Sequence, residues 1–108
     1  WRPKNRIRAS REFKQIQRSG KKIRTAHILG IAIRKEGPAR IGLTVSKKVG
    51  NAVVRNRLKR LLREISRHEY ASIEAGWQVI LIAHPSSASV QLRELKSNVQ
   101  FIFKKLIR

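Results

Sequence analysis

Residues 51–67 separate apolar from cationic side chains so cleanly that only an amphipathic helix accommodates them. At about 100° per residue, one stripe has the spacing typical of a helix that packs on a sheet. It consists of Val54, Leu58, Leu61, Leu62 and Ile65. The opposite arc carries Asn56, Lys59, Arg60, Arg63 and Arg67, with Arg55 and Arg57 on its flanks. We therefore predict a helix with one face buried and the other presented to a partner.

The charge on that outer face is too one-sided for a face that serves only solubility. Exposed helix faces usually mix signs, so that Glu and Lys pair one turn apart. Glu64 is the only acidic residue between Asn51 and Arg67. The whole chain has 26 Lys and Arg against 6 acidic residues, all of them Glu, for a net charge of +20. Such a surplus indicates a polyanionic partner, since phosphate can supply the missing counter-charge.

Nucleic acid is favoured over a membrane as that polyanion. The longest purely apolar run, Val79 to Ala83, is far too short to span a bilayer, and no signal-peptide pattern opens the sequence. We expect a cytoplasmic protein without membrane contact. The absence of Cys excludes disulfides and thiolate metal sites.

We predict neither a catalytic residue nor a cofactor or metal in the protein itself. A two-metal nuclease needs clustered carboxylates, and this chain has no Asp and only scattered Glu. Acid–base cleavage of RNA could use histidines. However, His27, His68 and His84 are predicted on a strand, near a helix end and at a strand end, with no reason to converge.

The remaining pattern predicts one domain over residues 1–108, with helices packed on a small sheet. Ser10 is expected to cap a helix that runs to about Ser19, and Ser89 to cap the last helix. Strands are predicted from alternation at 23–33, at 41–45 and, as a fully buried strand, at 77–83. The order is helix, two or three strands, helix, strand, helix.

The connection before the central helix adds to the anion-binding pattern. Lys47 and Lys48 precede the helix, and Asn51 is a plausible cap. Backbone N–H groups and the helix dipole favour anions at this end of a helix. Gly50 permits a close approach of the backbone.

The segment from Thr44 to Arg60, with Arg55-Asn56-Arg57 inside it, resembles the signature of the bacterial ribonuclease P protein component. The likeness is long and specific, and it extends outward in order along nearly the whole chain. Further matching segments are 40–43, 61–64, 12–13 and 20–21.

The resemblance implies an α+β fold with a four-stranded sheet in the order αβββαβα, ribosomal protein S5 domain 2-like. It also implies a left-handed βαβ crossover through the central helix, against the general preference for right-handed ones.

The resemblance further implies a non-catalytic subunit of an endoribonuclease that removes the 5′ leader of precursor tRNA. The chemistry would belong to a Mg²⁺-dependent RNA, with the protein as a monomer in the ribonucleoprotein. The catalytic RNA would contact Lys47, Lys48, Arg55, Asn56, Arg57, Lys59, Arg60, Arg63 and Arg67. The leader would contact Phe13, Gln17 and Ile31, although Gln17 and Ile31 stand where the family often has aromatics. The alternative is a structural RNA-binding protein of ribosomal type, which shares the size and charge.

Overall fold

The computed structural model describes residues 5–106 as a sheet with helices on both faces. In that range the chain forms three α-helices, four strands and short 3₁₀ turns, and the predicted order αβββαβα is confirmed. The elements are α1 (Ser10–Ser19), β1 (Lys21–Arg24), β2 (Ile28–Arg34), β3 (Arg40–Thr44), α2 (Ala52–Glu69), β4 (Trp77–Ala83) and α3 (Leu92–Leu106). The longer turns lie at Lys47–Val49, Tyr70–Ser72 and Pro85–Ser89.

The sheet is mixed, with strand order β1-β2-β4-β3. β1 pairs antiparallel with β2, and β2 pairs antiparallel with β4. β3 lies parallel to β4, with Ile41 opposite Val79. Parallel neighbours need a crossover connection, which α2 supplies. The left hand of this crossover remains a prediction.

The strand predicted over 23–33 is two strands, because the chain reverses at Thr25. The Thr25 hydroxyl donates to the carbonyl of Ile28 at 2.6 Å and accepts from the Ile28 N–H at 3.1 Å. A side-chain bond of this kind lets threonine stabilise a turn in place of a continued strand. This turn accounts for the third strand before α2.

β4 lies inside the sheet and is covered on both faces, which explains its continuous apolar sequence. Val79, Leu81 and Ala83 belong to the core beneath α2 and α3. Ile80 belongs to a second, smaller core beneath α1, where it meets Ile7 and Ile16. The two cores use alternate residues of the same strand.

The apolar stripe of α2 packs as predicted. Leu58 and Leu62 are fully buried and Ile65 is 2% exposed, while Val54 and Leu61 are partly buried at its margins. Each fully buried Leu or Ile side chain stabilises the fold by about 1.5–3 kcal/mol relative to exposure. This burial fixes how α2 is rotated about its axis.

Two of the three predicted caps are wrong. Asn51 caps α2 as expected, since its side chain accepts from the N–H of Val54 at 3.0 Å. Ser10 lies inside α1, which begins with a bond from the N–H of Phe13 to the carbonyl of Ala9. Ser89 ends the 3₁₀ turn that Pro85 begins, so α3 starts two residues later than a Ser89 cap requires.

No helix within residues 5–106 is both long enough and apolar enough to cross a bilayer.

The buried stripe makes a first prediction. We expect Leu58→Ala to lower the free energy of unfolding by about 2–5 kcal/mol, because the substitution leaves a cavity at a fully buried position. Urea unfolding followed by circular dichroism measures the change. Val53→Ala on the same helix is the control, because Val53 is 78% exposed and should cost less than about 0.5 kcal/mol. Equal effects of the two substitutions would contradict the packing described here.

Candidate nucleic-acid interface

The outer side of α2 presents a set of exposed polar and cationic side chains, here called the α2 cationic face. It consists of Asn56, Arg57, Arg60, Arg63 and Arg67. Glu64 approaches Arg67 at 3.9 Å, and both side chains are about half exposed or more. An exposed pair at that distance contributes little. The face therefore keeps most of its positive charge for an external anion.

Arg55 and Lys59 differ from the rest of the predicted set because both are half-buried. The Nε of Arg55 is buried and has no hydrogen-bond partner among the described residues. Lys59, which the helical projection placed on the outer arc, instead lines a cleft shared with α1. Half-burial of Arg55 agrees with its predicted place on the flank of the arc, whereas Lys59 is less exposed than its predicted place on the outer arc implies.

The turn before α2 holds two of the predicted lysines at the helix N-terminus. Lys47 and Lys48 are exposed, while Val49 between them and the helix is buried and anchors the turn. A Cβ added to Gly50 would lie 3.0 Å from the Cβ of Val54. Glycine therefore lets the turn pack closely against the first turn of α2. The arrangement places two ammonium groups where the helix dipole already favours anions.

The N-terminal segment supplies cations that the sequence pattern did not single out. Arg6 pairs in parallel with Ile41, and the N–H of Ile7 donates to the carbonyl of Ile41 at 3.0 Å. This contact extends the sheet edge beside β3. The sequence Arg6-Ile7-Arg8 alternates charged and apolar residues, and Ile7 is buried. This alternation is the sequence pattern that could have predicted an extended segment at the sheet edge.

Arg6 therefore joins the α2 cationic face. A cleft of about 280 Å³ is lined by Arg6, Arg60, Arg63, Glu64 and Arg67. A neighbouring cleft of about 230 Å³ is lined by Arg6, Ile7, Arg8, Phe13, Ile41, Leu43 and Arg63. Arg6 and Arg63 line both, so the cationic surface continues from α2 toward α1.

A third and larger cleft lies between α1, β3 and α2, here called the α1 cleft. It has a volume of about 480 Å³ and is lined by Arg8, Ser10, Phe13, Lys14, Gln17, Leu43, Thr44, Val45 and Lys59. Phe13 and Gln17, two predicted site residues, thus share one cleft one helical turn apart. The lining combines an aromatic ring, neutral hydrogen-bonding groups and cations.

The ring of Phe13 leans over β3 at Gly42. A Cβ at Gly42 would lie 2.6 Å from the Cζ of Phe13 and 3.0 Å from the Cβ of Ile7. Glycine in this strand therefore makes room for the ring, as is usual where another group approaches a strand closely. Phe13 is half-buried, so it both packs on the smaller core and faces the cleft.

A bidentate ion pair fixes α1 in this position. Arg40 on β3 donates to the two carboxylate oxygens of Glu12 at 2.5 and 3.2 Å, and also to the carbonyl of Arg6 at 3.0 Å. The hydrogen bond from Arg40 is the main cause that lowers the pKa of Glu12 below its usual value, and burial opposes it. One guanidinium thus joins α1, β3 and the N-terminal segment.

The assignment of Ile31 to the leader-contacting residues is corrected by its position. Ile31 is 2% exposed and lies in the core beneath α1. A Cβ at Gly20, at the end of α1, would lie 2.5 Å from its Cγ2. An aliphatic side chain at this depth has no surface to offer an RNA strand, so its role is packing.

The prediction that the histidines do not converge is wrong for two of them. His27 Nδ1 and His84 Nδ1 lie 2.8 and 3.0 Å from the hydroxyl of Ser86. His27 Nε2 also lies 3.3 Å from Glu94. No described hydrogen bond or ion pair joins His68 to either. The Ser86 contacts join the ends of β2 and β4 to the Pro85–Ser89 turn, and the Glu94 contact joins His27 to α3. Within residues 5–106, no cluster of three or more His, Cys, Asp or Glu could hold a metal ion.

These features define an α+β protein with a continuous cationic surface across α2 and α1. A family model described as Ribonuclease P matches residues 2–107. The ribonuclease P protein component of Bacillus cereus (strain AH187) is 36% identical over 104 residues, covering 94% of this chain and 90% of that protein. The corresponding protein of Exiguobacterium sibiricum is 33% identical over 102 residues, and the match covers 93% of this chain and 88% of that protein.

Solved structures agree with these relatives. The ribonuclease P protein of Staphylococcus aureus, in a mutant described as defective in mRNA degradation activity, superposes with a TM-score of 0.86 at 25% identity, covering 95% of this chain and 88% of its own. The protein from Thermotoga maritima superposes with a TM-score of 0.84 at 26% identity, covering 93% and 96%. The chain belongs to the ribonuclease P protein family and is a protein subunit of that tRNA-processing ribonucleoprotein. The ribosomal alternative is not favoured.

The Glu12–Arg40 pair makes a second, pH-dependent prediction. The folded-state pKa of Glu12 is lowered from about 4.5. Its stabilisation is therefore complete above that value and is lost as the pH falls through the lower folded-state pKa. We expect Glu12→Gln to cost about 1 kcal/mol at pH 7, and progressively less toward the lowest pH at which the wild type stays folded. Urea unfolding at a series of pH values measures this.

Glu36→Gln is the control for that experiment, because Glu36 is exposed in the turn between β2 and β3. Its effect should be small at every pH. A cost for Glu12→Gln that does not change with pH would mean that the charge of Glu12 is not what stabilises the pair.

Proposed function

We propose that this subunit binds two RNA elements on adjoining surfaces. The catalytic RNA lies on the α2 cationic face and on Lys47 and Lys48. The single-stranded 5′ leader of precursor tRNA lies in the α1 cleft. The observation that carries this proposal is the continuity of the cationic surface. Arg6 and Arg63 line both the cleft on α2 and the neighbouring one, and Arg8 and Phe13 line that neighbouring cleft and the α1 cleft.

The contribution of the α2 cationic face is electrostatic. Arginine binds phosphate oxygens with a planar fork of donors, and each phosphate neutralised releases condensed counterions. Asn56 among the arginines can donate to a phosphate or to a base edge. Binding of this kind follows the RNA backbone and is steeply salt-dependent.

The α1 cleft suits an unpaired strand because it offers different groups to bases and to phosphates. Phe13 can stack on a base, while the amide of Gln17 and the hydroxyl of Thr44 can form hydrogen bonds. Lys14 and Lys59, on opposite elements, can neutralise the strand's phosphates. Leader contacts exist only before cleavage, so they raise affinity for precursor over mature tRNA.

The chemistry in this proposal belongs to the RNA and its Mg²⁺ ions. The protein's role is to hold the RNA elements together, and one copy presents both surfaces, which supports a monomer in the assembly. We place its work in the cytoplasm.

A reconstitution tests the proposal as a whole. Cleavage of precursor tRNA is measured at physiological Mg²⁺ with the chain and a bacterial ribonuclease P RNA, omitting each in turn. We expect cleavage to require the RNA and to be enhanced by the protein. Cleavage by the protein alone, or no effect of the protein on the RNA, would overturn the proposal.

The salt dependence of RNA binding gives a third prediction. For the wild type, a plot of the logarithm of the affinity for the catalytic RNA against the logarithm of the salt concentration should have a negative slope of several units. Arg57→Ala combined with Arg60→Ala should reduce that slope by about 1.5, because each lost phosphate contact removes about 0.7–0.9. It should also impair assembly at low Mg²⁺.

Filter binding over a salt series measures the slope. The matched control is Arg18→Ala combined with Lys96→Ala, which removes the same charge from exposed positions that line none of the clefts described above. An unchanged slope in the α2 double variant would contradict a specific α2 interface. So would equal reductions in slope in the α2 double variant and the control double variant.

Replacing Gln17 gives a fourth prediction. Gln17→Tyr places a second aromatic one turn from Phe13 in the α1 cleft. Stacking on an aromatic contributes about 1–3 kcal/mol per base, so affinity for precursor tRNA should rise about fivefold or more. Affinity for mature tRNA should not change. Fluorescence titration of the reconstituted holoenzyme measures both, with Arg18→Tyr outside the cleft as control. A parallel gain for mature tRNA would show that the leader is not the ligand.

A further inference from the structure

An aromatic side chain is exposed on α3, away from the surfaces described so far. Phe101 is 47% exposed, although its neighbours Ile102 and Phe103 are buried in the main core. A single exposed apolar residue is ordinary in a soluble protein. This one, however, has a cation beside it, since the Nζ of Lys105 lies 5.3 Å from the ring centroid. Lys105 is one helical turn away and is itself exposed.

Phe101 also forms one wall of a shallow cleft between α3 and the end of β1. The cleft has a volume of about 290 Å³ and is lined by Arg24, Thr25, Ser97, Asn98 and Phe101. It thus brings an aromatic ring together with a second exposed cation, Arg24. An aromatic face with flanking cations is the combination that binds single-stranded nucleic acid without sequence preference. We call this group the Phe101 platform.

The platform is separate from the α1 cleft. β1 and β3 are opposite edges of the sheet, three strand spacings or roughly 14 Å apart. α3 packs over the main core with α2, whereas α1 covers the other face of the sheet. A strand in the α1 cleft therefore does not reach Phe101 directly, but an RNA bound on α2 lies on the same side of the sheet as α3.

Hydrogen bonding within the cleft indicates what kind of ligand it takes. Asn98 accepts from the N–H of His27 at 2.9 Å and donates to the carbonyl of Glu94 at 2.9 Å. The Thr25 hydroxyl is occupied by Ile28. These bonds hold the β1–β2 turn against α3 and use part of the hydrogen-bonding capacity of Asn98 and Thr25. Stacking and charge are then the main contacts that the cleft offers, and neither distinguishes one base from another.

We propose that the Phe101 platform stacks an unpaired nucleotide, with Arg24 and Lys105 neutralising the adjoining phosphates. The nucleotide belongs to the same RNA that α2 anchors, and this attribution rests on the proposed function of α2. Net charge supports RNA over a protein partner here, because α3 has one acidic residue, Glu94, and its carboxylate lies 3.3 Å from His27 Nε2.

Titration of the full-length, ¹⁵N-labelled chain with single-stranded pentanucleotides tests the stacking itself. Oligoadenylate and oligouridylate should both shift the amide resonances of Arg24, Thr25, Ser97 and Phe101, with affinities within a few-fold of each other. Phe101→Leu keeps an apolar side chain but removes the ring. It should weaken binding at these amides by about fivefold or more, while amides near Phe13 titrate as in the wild type.

Leu92→Ala is the matched control, because Leu92 is also exposed on α3 at 42% but does not line the cleft. It should bind as the wild type does. Absence of shifts at the platform amides, or equal binding by Phe101→Leu, would overturn the proposal. Sedimentation velocity is run alongside, and self-association that Phe101→Leu abolishes would assign the platform to a second copy of the chain and also overturn it.

A second measurement separates this proposal from the function of α2. Affinity for full-length ribonuclease P RNA should fall about fivefold or more in Phe101→Leu. The fall should add to that of Arg57→Ala with Arg60→Ala, because the two sites do not touch. If Phe101→Leu lowers the affinity for this RNA and the α2 double variant does not, the result supports the platform and refutes the α2 interface. The reverse result would refute the attribution to this RNA.

Discussion

The burial of Leu58, Leu62 and Ile65 in the main core is the interaction on which the rest of the molecule depends. Side chains on a helix are fixed relative to one another, so burying one stripe determines where the opposite one points. Rotation of α2 by even one residue would bring a cation into the core, where an unpaired charge is very costly. The position of the α2 cationic face is therefore a consequence of hydrophobic packing, and no separate interaction is needed to present it.

The smaller core has a comparable role on the other face of the sheet. Ile16, Ile31 and Ile80 fix α1 on the sheet, and the Glu12–Arg40 pair sets its position relative to β3. Because Arg40 also binds the carbonyl of Arg6, the N-terminal segment is held at the sheet edge by the same guanidinium. The α1 cleft is the space left between these rigidly placed elements, which suits a site that must bind without large rearrangement.

Most of the fold and much of the candidate site follow from local sequence pattern. The features that the sequence did not predict depend on contacts between residues distant in sequence. The α2 stripe, its Asn51 cap and the doubly covered strand β4 repeat at characteristic spacings, so they could be predicted. The position of Lys59 could not, because an ideal helix projection does not include α1 as a neighbour. The resemblance supplied Phe13 and Gln17, and the structure places both in one cleft.

Other misses have the same origin. Arg6 joins the cationic surface through a bridge to Ile41, 35 positions further along the chain. His27 and His84 meet because β2 and β4 are neighbours, with Ile28 opposite Ala83. Ile31 was assigned by analogy with aromatic family members, and only the depth of its position beneath α1 shows that it is a packing residue. Sequence spacing contains no direct information on any of these distances.

The scarcity of acidic partners has a consequence for the subunit before it meets its RNA. With 26 Lys and Arg and 6 Glu, at least 20 cations have no carboxylate to pair with one to one. The isolated fold therefore carries electrostatic self-repulsion, and association with RNA both relieves this repulsion and shifts the folding equilibrium by mass action. Assembly with RNA and folding of the protein are therefore thermodynamically coupled. The free subunit has a lower free energy of unfolding than the assembled one.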